Sequence, residues 1–337
     1  MSCPLLSIII PVYNARPYVR RCFEALCRQT YPRLEFLFVD DCSTDGSYEE
    51  CTRICAGDPR FRVLRMPENS GAGDTRQRGI EAATGSWIGF TDCDDLPEPE
   101  LYATLYRTAM QAQADIACCN AFYAYEDGRH WPIFPPGTQV TELTPREALL
   151  RMHRREGIGY SLWDKLFRRE ILLQVPMRSQ PFEDHATLPY YFHAARRIAL
   201  CPQPLYRYIQ HEGSLMHGGF DARKELAGFR LFYKETQLLE KAYGITGLNT
   251  VVKKGVHYLN HLCLLPENEQ VRAWRDEVAT CIREYDGVPI RPYSLSLRLK
   301  RYMLLNHYAT WRSMYLLFMK GFKRSKYKKM NPGNLIH

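Results

Sequence analysis

With 337 residues, 45% of them apolar and 24% charged, the chain holds one large domain or a domain with an appended second one, and its composition excludes a disordered or low-complexity protein. The net charge of +8 is unevenly placed: residues 287–337 hold eleven of the 45 Lys and Arg and none of the 37 Asp and Glu, so the rest of the chain carries −3. Twelve cysteines without a C-x-x-C pair, and an N-terminus without a basic n-region or small-residue cleavage site, argue against a disulfide framework and a signal peptide and predict a reducing, cytoplasmic location.

In chain order, five short apolar runs rich in β-branched or aromatic residues predict strands at 5–12, 34–40, 61–66, 86–92 and 115–120. Helix-compatible stretches lie between them at about 17–29, 47–55, 72–83 and 99–112. This alternation predicts an α/β fold with a mainly parallel sheet covered by helices on both faces, and such sheets bind ligands beyond the C-terminal ends of their strands. The first strand runs into Pro11-Val12-Tyr13-Asn14, the second into Asp40-Asp41 and the fourth into Asp92-Cys93-Asp94-Asp95, so three polar ends are expected on one rim.

The next section, about 121–215, is less regular. Thr144 as N-cap, Pro145 at the first helical position and Glu147 at the capping-box position predict a helix over 142–156. A further helix is expected from about Glu183 to Ala195, with short strands at 197–201 and 204–209. From Asp221 onward the chain reads as helical, at about 221–243, 247–264, 267–285 and 295–319. The expected organisation is therefore residues 1–120, 121–215 as the second half of the same domain, and a helical region 216–337.

Three carboxylates within four positions after a buried strand repel one another where water is scarce, and a divalent cation is the usual compensation. Oxygen ligands suit Mg²⁺ or Mn²⁺. D-x-D alone also occurs in solvated loops, and Asp40-Asp41 before Ser43-Thr44-Asp45-Gly46-Ser47 also reads as a helix-capping turn.

PVYN, then FVDDCSTDGS, then RMPENSGAGDTRQRGIEAATGSWIGFTDCDD, in this order and spacing, resemble the inverting family 2 glycosyltransferases of the GT-A fold. The match is dense over 5–120 and looser to about 215. The resemblance implies that Pro11, Tyr13 and Asn14 line a nucleotide pocket, that Asp41 reads a uracil ring with Asp40 beside it, and that Asp92 and Asp94 are the D-x-D acids at metal, ribose and diphosphate. Asp95 follows them on the donor side. Arg76 matches the family's A-R-N stretch, although the chain has Thr75-Arg76-Gln77. QPFEDHATLPYYF resembles the E-D segment that supplies the base, which makes Asp184 the candidate and Glu183 its reserve; the pair also reads as an acidic helix start. In SLWDKLFRRE, Trp163 is expected on the acceptor side, and Lys165 either fixes the loop or contacts the acceptor.

The implied activity is metal-dependent, inverting transfer of a sugar, most simply from a UDP-sugar, to a lipid-linked or growing glycan acceptor of surface-polysaccharide type. A sugar nucleotidyltransferase is the alternative enzyme, but PVYNARPYV lacks the Gly-rich phosphate loop it needs. A catalytically inactive scaffold acting as a membrane-peripheral binding protein is the other alternative. The segment 295–329 mixes aromatic, aliphatic and basic residues without an acid and without an uncharged run long enough to span a bilayer, so it is expected on an anionic membrane surface, at the inner face of the plasma membrane, or packed on the domain. No nucleic-acid-binding pattern accompanies it. His257, His261 and Cys263 superficially suggest zinc without a suitably spaced further ligand. His211 and His217, in IQHEGSLMHGG, resemble the region where some GT-A enzymes contribute a late ligand or a pyrophosphate contact, and are outside candidates.

Overall fold

A computed structural model describes residues 3–210, 221–285 and 295–321. The chain forms two compact units, Met1–Glu212 and Gly213–His337. Among the described residues the first unit runs β1 (Leu6–Val12), α1 (Arg16–Cys27), β2 (Leu34–Asp40), α2 (Ser47–Cys55), β3 (Phe61–Arg65), α3 (Gly71–Ala82), β4 (Trp87–Phe90), β5 (Leu96–Pro97), α4 (Leu101–Gln111), β6 (Ile116–Tyr125), β7 (His130–Pro132), β8 (Thr141–Leu143), α5 (Pro145–Arg154), β9 (Lys165–Arg168), α6 (Arg169–Gln174), α7 (Glu183–Ala194) and β10 (Ile198–Gln210).

One sheet collects the strands in the order β3-β2-β1-β4-β9-β6-β10-β5, with β7 on β6 and β8 on β10. β3, β2, β1 and β4 are mutually parallel. β2 and β4 are buried along their whole length and β1 everywhere but Pro11, which is why their sequences are continuous apolar runs rather than alternating ones. Register places Val12 opposite Asp40, and the Thr91 amide still bonds the Ile9 carbonyl, so the ends of β1, β2 and β4 leave the sheet on one edge.

Two departures from the expected elements follow from pairing that local pattern does not encode. KLFR, not expected as a strand, becomes β9 and inserts antiparallel between β4 and β6, which makes the sheet mixed. The two strands expected at 197–201 and 204–209 are one long strand, β10, whose register on β6 shifts on either side of Pro204; proline there cannot donate to the ladder. The predicted capping box forms: Thr144 Oγ1 accepts from the Glu147 amide at 3.3 Å and Glu147 Oε2 accepts from the Thr144 amide at 2.9 Å.

The second unit contains α8 (Ala222–Tyr243), α9 (Thr250–Leu262), α10 (Glu269–Arg283), α11 (Leu295–Asn306) and α12 (Tyr308–Gly321). Asp221 caps α8 through the Arg223 and Lys224 amides, and Gly244 ends it in the left-handed conformation. Its own core joins Leu226, Phe229, Val256, Leu259, Val278 and Ile282. The single helix expected over 295–319 is divided at His307. Just before the break Asn306 Nδ2 donates to the Tyr302 carbonyl at 3.0 Å, in competition with the helical ladder. Among the described residues no helix is long and apolar enough to cross a membrane.

Candidate functional site

Five non-glycine residues have positive φ among the described residues, and three of them, Asn14, Cys42 and Phe182, flank the strand-end rim or the start of α7. Left-handed backbone at residues with a Cβ persists only where the surroundings enforce it, and it collects at functional sites. Asn14 (φ 48°) is held by two contacts: its amide donates to Ser43 Oγ at 3.0 Å and its Oδ1 accepts from the Thr44 amide at 2.9 Å. The loop after β1 is thereby tied to the loop after β2. Tyr13, 52% exposed, projects from this tie, beside the half-buried Pro11.

Asp40 and Asp41 are both buried. Asp41 accepts the Ser70 and Gly71 amides, each at 2.8 Å, one on each carboxylate oxygen, at the start of α3. Asp40 Oδ2 accepts the Ser43 amide at 3.1 Å and lies 3.6 Å from Arg65 Nε, while its Oδ1 is buried without a protein partner. Both acids therefore build the rim.

The acids after β4 are placed differently. Asp92 Oδ1 accepts from Arg76 Nη2 at 2.7 Å, and its amide donates to the Tyr206 hydroxyl at 3.1 Å. Burial raises the Asp92 pKa, Arg76 opposes this, and the Asp94 charge raises it further. Asp94 is half-buried, and its backbone carbonyl accepts from Arg21 Nη2 at 2.7 Å. Asp95 is 1% exposed, with Oδ2 on the Tyr206 hydroxyl at 3.0 Å and Oδ1 on the Ile209 amide at 2.8 Å. Burial and then the Asp92 and Asp94 charges push its pKa well above the usual carboxylate range. Sequence reasoning placed Asp95 with the donor-binding residues; in the fold its oxygens anchor the turn to β10. A cluster in which the Asp94 charge raises the pKa of both Asp92 and Asp95 suits a hard divalent cation, and Asp92 and Asp94 are the pair that could hold it.

Arg76, on α3, connects this cluster to α7. Its Nη1 donates to Glu183 Oε1 at 2.6 Å while Nη2 holds Asp92. Burial works against its charge, but Asp92 and Glu183 outweigh burial and raise its pKa. Asp184 is half-buried beside them and accepts the His185 amide at 2.7 Å. Its pKa is raised to about 6 by burial and then by the Glu183 charge, with Arg76 opposing. The segment leading into α7 is clamped on α3: Gln77 Oε1 accepts the Met177 amide at 2.9 Å, and Asp74 and Ser179 exchange two hydrogen bonds at 2.9 and 3.1 Å. A Cβ at Gly73 would lie 2.4 Å from the Arg178 carbonyl oxygen, so only glycine allows this approach.

Trp163 stacks on Tyr206 with ring centroids 4.3 Å apart and planes 11° from parallel, so its orientation is tied to the tyrosine that holds Asp92 and Asp95. Lys165 is fully buried, and its Nζ donates to Gly159 O at 3.0 Å, Ser161 O at 2.6 Å and Asp164 Oδ1 at 2.7 Å. All three ammonium protons are used, so of the two readings open to the sequence Lys165 takes the first: it fixes the loop and has no donor for an acceptor. His211 and His217 lie outside the described residues. Sequence reasoning missed Tyr206, Arg21 and Ser179. Tyr206 and Tyr208 alternate on β10, which signals one shared face, but nothing local to any of the three names its partner.

A mainly parallel sheet with carboxylates on its C-terminal rim and a further acid pair at a helix start is the arrangement expected of a GT-A glycosyltransferase. The Glycosyl transferase family 2 model matches residues 7–175, and the chain belongs to that family. YibD of Escherichia coli, an uncharacterized glycosyltransferase, is 33% identical over 246 residues, 70% of either chain. The glycosyltransferase GlyG of Streptococcus pneumoniae is 30% identical over 224 residues, 64% of this chain and 74% of its own. Among solved structures, S. aureus TarS 1–349 in complex with UDP-GlcNAc has a TM-score of 0.59 at 19% identity, covering 94% of this chain and 92% of that one. The mannosyltransferase PcManGT from Pyrobaculum calidifontis in complex with GDP-Man and Mn²⁺ has a TM-score of 0.54 at 16% identity, covering 95% and 88%. At these identities the structural likeness speaks for the fold.

Proposed function

We propose that the chain transfers one sugar from a nucleotide sugar, a UDP-sugar in the first instance, to a hydroxyl of a lipid-linked or growing glycan, with inversion at the anomeric carbon. The observation that carries this reading is the chain Asp92–Arg76–Glu183–Asp184. It joins an acid cluster suited to a diphosphate and its cation to a carboxylate whose pKa, about 6, suits proton abstraction near neutrality.

Tyr13 and Pro11 form one side of the nucleotide pocket, while Asn14, Asp40 and Asp41 fix its floor and offer acceptors for a nucleobase or ribose. Asp92 and Asp94 would hold Mg²⁺ or Mn²⁺, which would supply positive charge to the diphosphate. Arg76 holds the Asp92 and Glu183 carboxylates at a fixed separation, so donor and base are oriented together. Asp184 takes the proton of the acceptor hydroxyl as the hydroxyl oxygen attacks the anomeric carbon, the bond from that carbon to the diphosphate oxygen breaks, and the nucleoside diphosphate leaves with the electron pair; Trp163 offers a partly exposed aromatic face on the acceptor side. The deciding experiment is calorimetric titration with a panel of nucleoside diphosphates in Mn²⁺ and in EDTA. Metal-dependent UDP binding is expected, and silence with every nucleotide would sink the donor-site reading.

A membrane-peripheral placement, at the inner face of the plasma membrane, rests on a second observation. Leu295, Leu299 and Tyr302 on α11 and Met314, Leu317 and Phe318 on α12 are all more than half exposed, on helices that also carry Arg298, Lys300 and Arg301 and no acid. Apolar side chains beside basic ones favour an anionic bilayer surface, where a lipid-linked acceptor would reside. Co-sedimentation with anionic vesicles but not with neutral ones is expected; recovery in the supernatant with both would remove the membrane from the proposal.

A further inference from the structure

The helical unit contains a cluster for which sugar transfer has no use. His257 and His261 are one turn apart on α9, and their rings lie 4.1 Å apart. Glu225, in the first turn of α8, brings both carboxylate oxygens to 3.1 Å from His261 Nδ1. One ligand atom from each of the three residues lies within 4.8 Å of the other two. The third group suggested by the sequence, Cys263, is buried and donates its thiol to the Leu259 carbonyl at 3.4 Å, so it is not a partner to the pair. Glu225 takes that place, 32 residues before His257, at a spacing that no sequence motif encodes.

We propose that Glu225, His257 and His261 bind one divalent ion of the zinc class, tying the first turn of α8 to the last turns of α9. Two imidazoles and one carboxylate are a common zinc donor set, and the half-exposed position leaves room for a water as fourth ligand. Small side-chain rotations would bring the three atoms to the closer spacing that a tetrahedral ion requires. The charges of Lys254 and Lys300 disfavour positive charge at His257, and both oppose a bound ion. Lys254 extends its ammonium over the Phe232 ring, 4.7 Å from the centroid, and the Glu225 carboxylate supplies the compensating negative charge. Imidazole ligands favour Zn²⁺ over Mg²⁺ and Mn²⁺, so the metal preference differs from that of the oxygen-only acids after β4.

The test is equilibrium dialysis of the full chain against Zn²⁺, with Co²⁺ absorption as a second readout. About one Zn²⁺ per chain is expected beyond that bound by His257→Ala, with a tetrahedral-type Co²⁺ spectrum in the unaltered protein only. The Asp94→Asn variant should keep this ion. Zn²⁺ should also raise the melting temperature of the unaltered chain and not that of Glu225→Gln. His257 is exposed, so its replacement leaves the core intact, and unchanged helical circular dichroism checks this. Equal Zn²⁺ binding by the unaltered chain and His257→Ala, or an octahedral Co²⁺ spectrum throughout, would overturn the proposal.

Discussion

At the end of β2, backbone amides at the start of α3 and in the following turn bind Asp41 and Asp40, with Arg65 beside Asp40; at the end of β4, Asp92 meets the Arg76 guanidinium and the Asp94 charge, and Arg21 holds the Asp94 carbonyl. Both strands stop on clustered acids, and residue type alone does not rank them. The difference is in what compensates the charge. Amide donors are fixed by the fold, so the β2 acids contribute rigidity whether or not a ligand is present. The Asp94 charge repels Asp92 and Asp95, and crowded carboxylates of this kind are what a diphosphate-bound cation can use.

The largest expected effect comes from the base at the far end of the Arg76 bridge. Asp184→Asn is expected to lower the transfer rate by about 10³-fold while UDP affinity stays within about twofold, as for a group that acts only when the acceptor is deprotonated. Measuring kcat and UDP binding on the same preparation checks both halves. Equal losses would move the base elsewhere and reduce Asp184 to an acidic helix start.

Next in size is a contrast between the strand ends. Asp94→Asn should weaken Mn²⁺-dependent UDP binding by about tenfold or more, while the melting temperature at neutral pH holds or rises because one repelling charge is gone. Asp41→Ala should do the reverse to stability, costing about 1–3 kcal/mol because two amides at the start of α3 lose their acceptor. Thermal unfolding of the two variants side by side decides it. If Asp94→Asn destabilised as much as Asp41→Ala, the two acid clusters would be equivalent structural turns.

Much of this was legible in the sequence because it depends on local order. Continuous apolar runs located β1, β2 and β4, and with them the rim carrying Asp40, Asp41, Asp92 and Asp94. Thr144 and Glu147 located α5. Contacts between residues far apart in the chain were not legible: Arg76 lies 107 positions from Glu183, and Asp95 lies 111 from Tyr206. Lys165 illustrates the limit, since its residue type suits an acceptor contact and only the fold shows all three of its protons bound within its own loop. Strand β9 was missed for the same reason, because four residues of mixed polarity become a strand only where two neighbours offer unpaired edges.

The smallest expected effect is a pH shift, and its sign tests whether Arg76 connects the two acid clusters electrostatically. Asp184 must be ionised to accept a proton, so transfer should rise with pH through about 6 and level off above it. Burial and Glu183 push that midpoint up and Arg76 pulls it down, so Arg76→Gln should move the acid limb to higher pH and Glu183→Gln to lower pH. The same displacement bears on stability. A carboxyl whose folded pKa lies above its unfolded value stabilises the fold when protonated, an effect fully present below about pH 4 and lost as pH rises through about 6. Asp184→Asn should therefore raise the melting temperature at pH 8 relative to the unaltered chain and leave it nearly unchanged at pH 4. A variant that loses transfer and gains stability only where Asp184 is ionised would show that the fold tolerates this carboxylate for its chemistry.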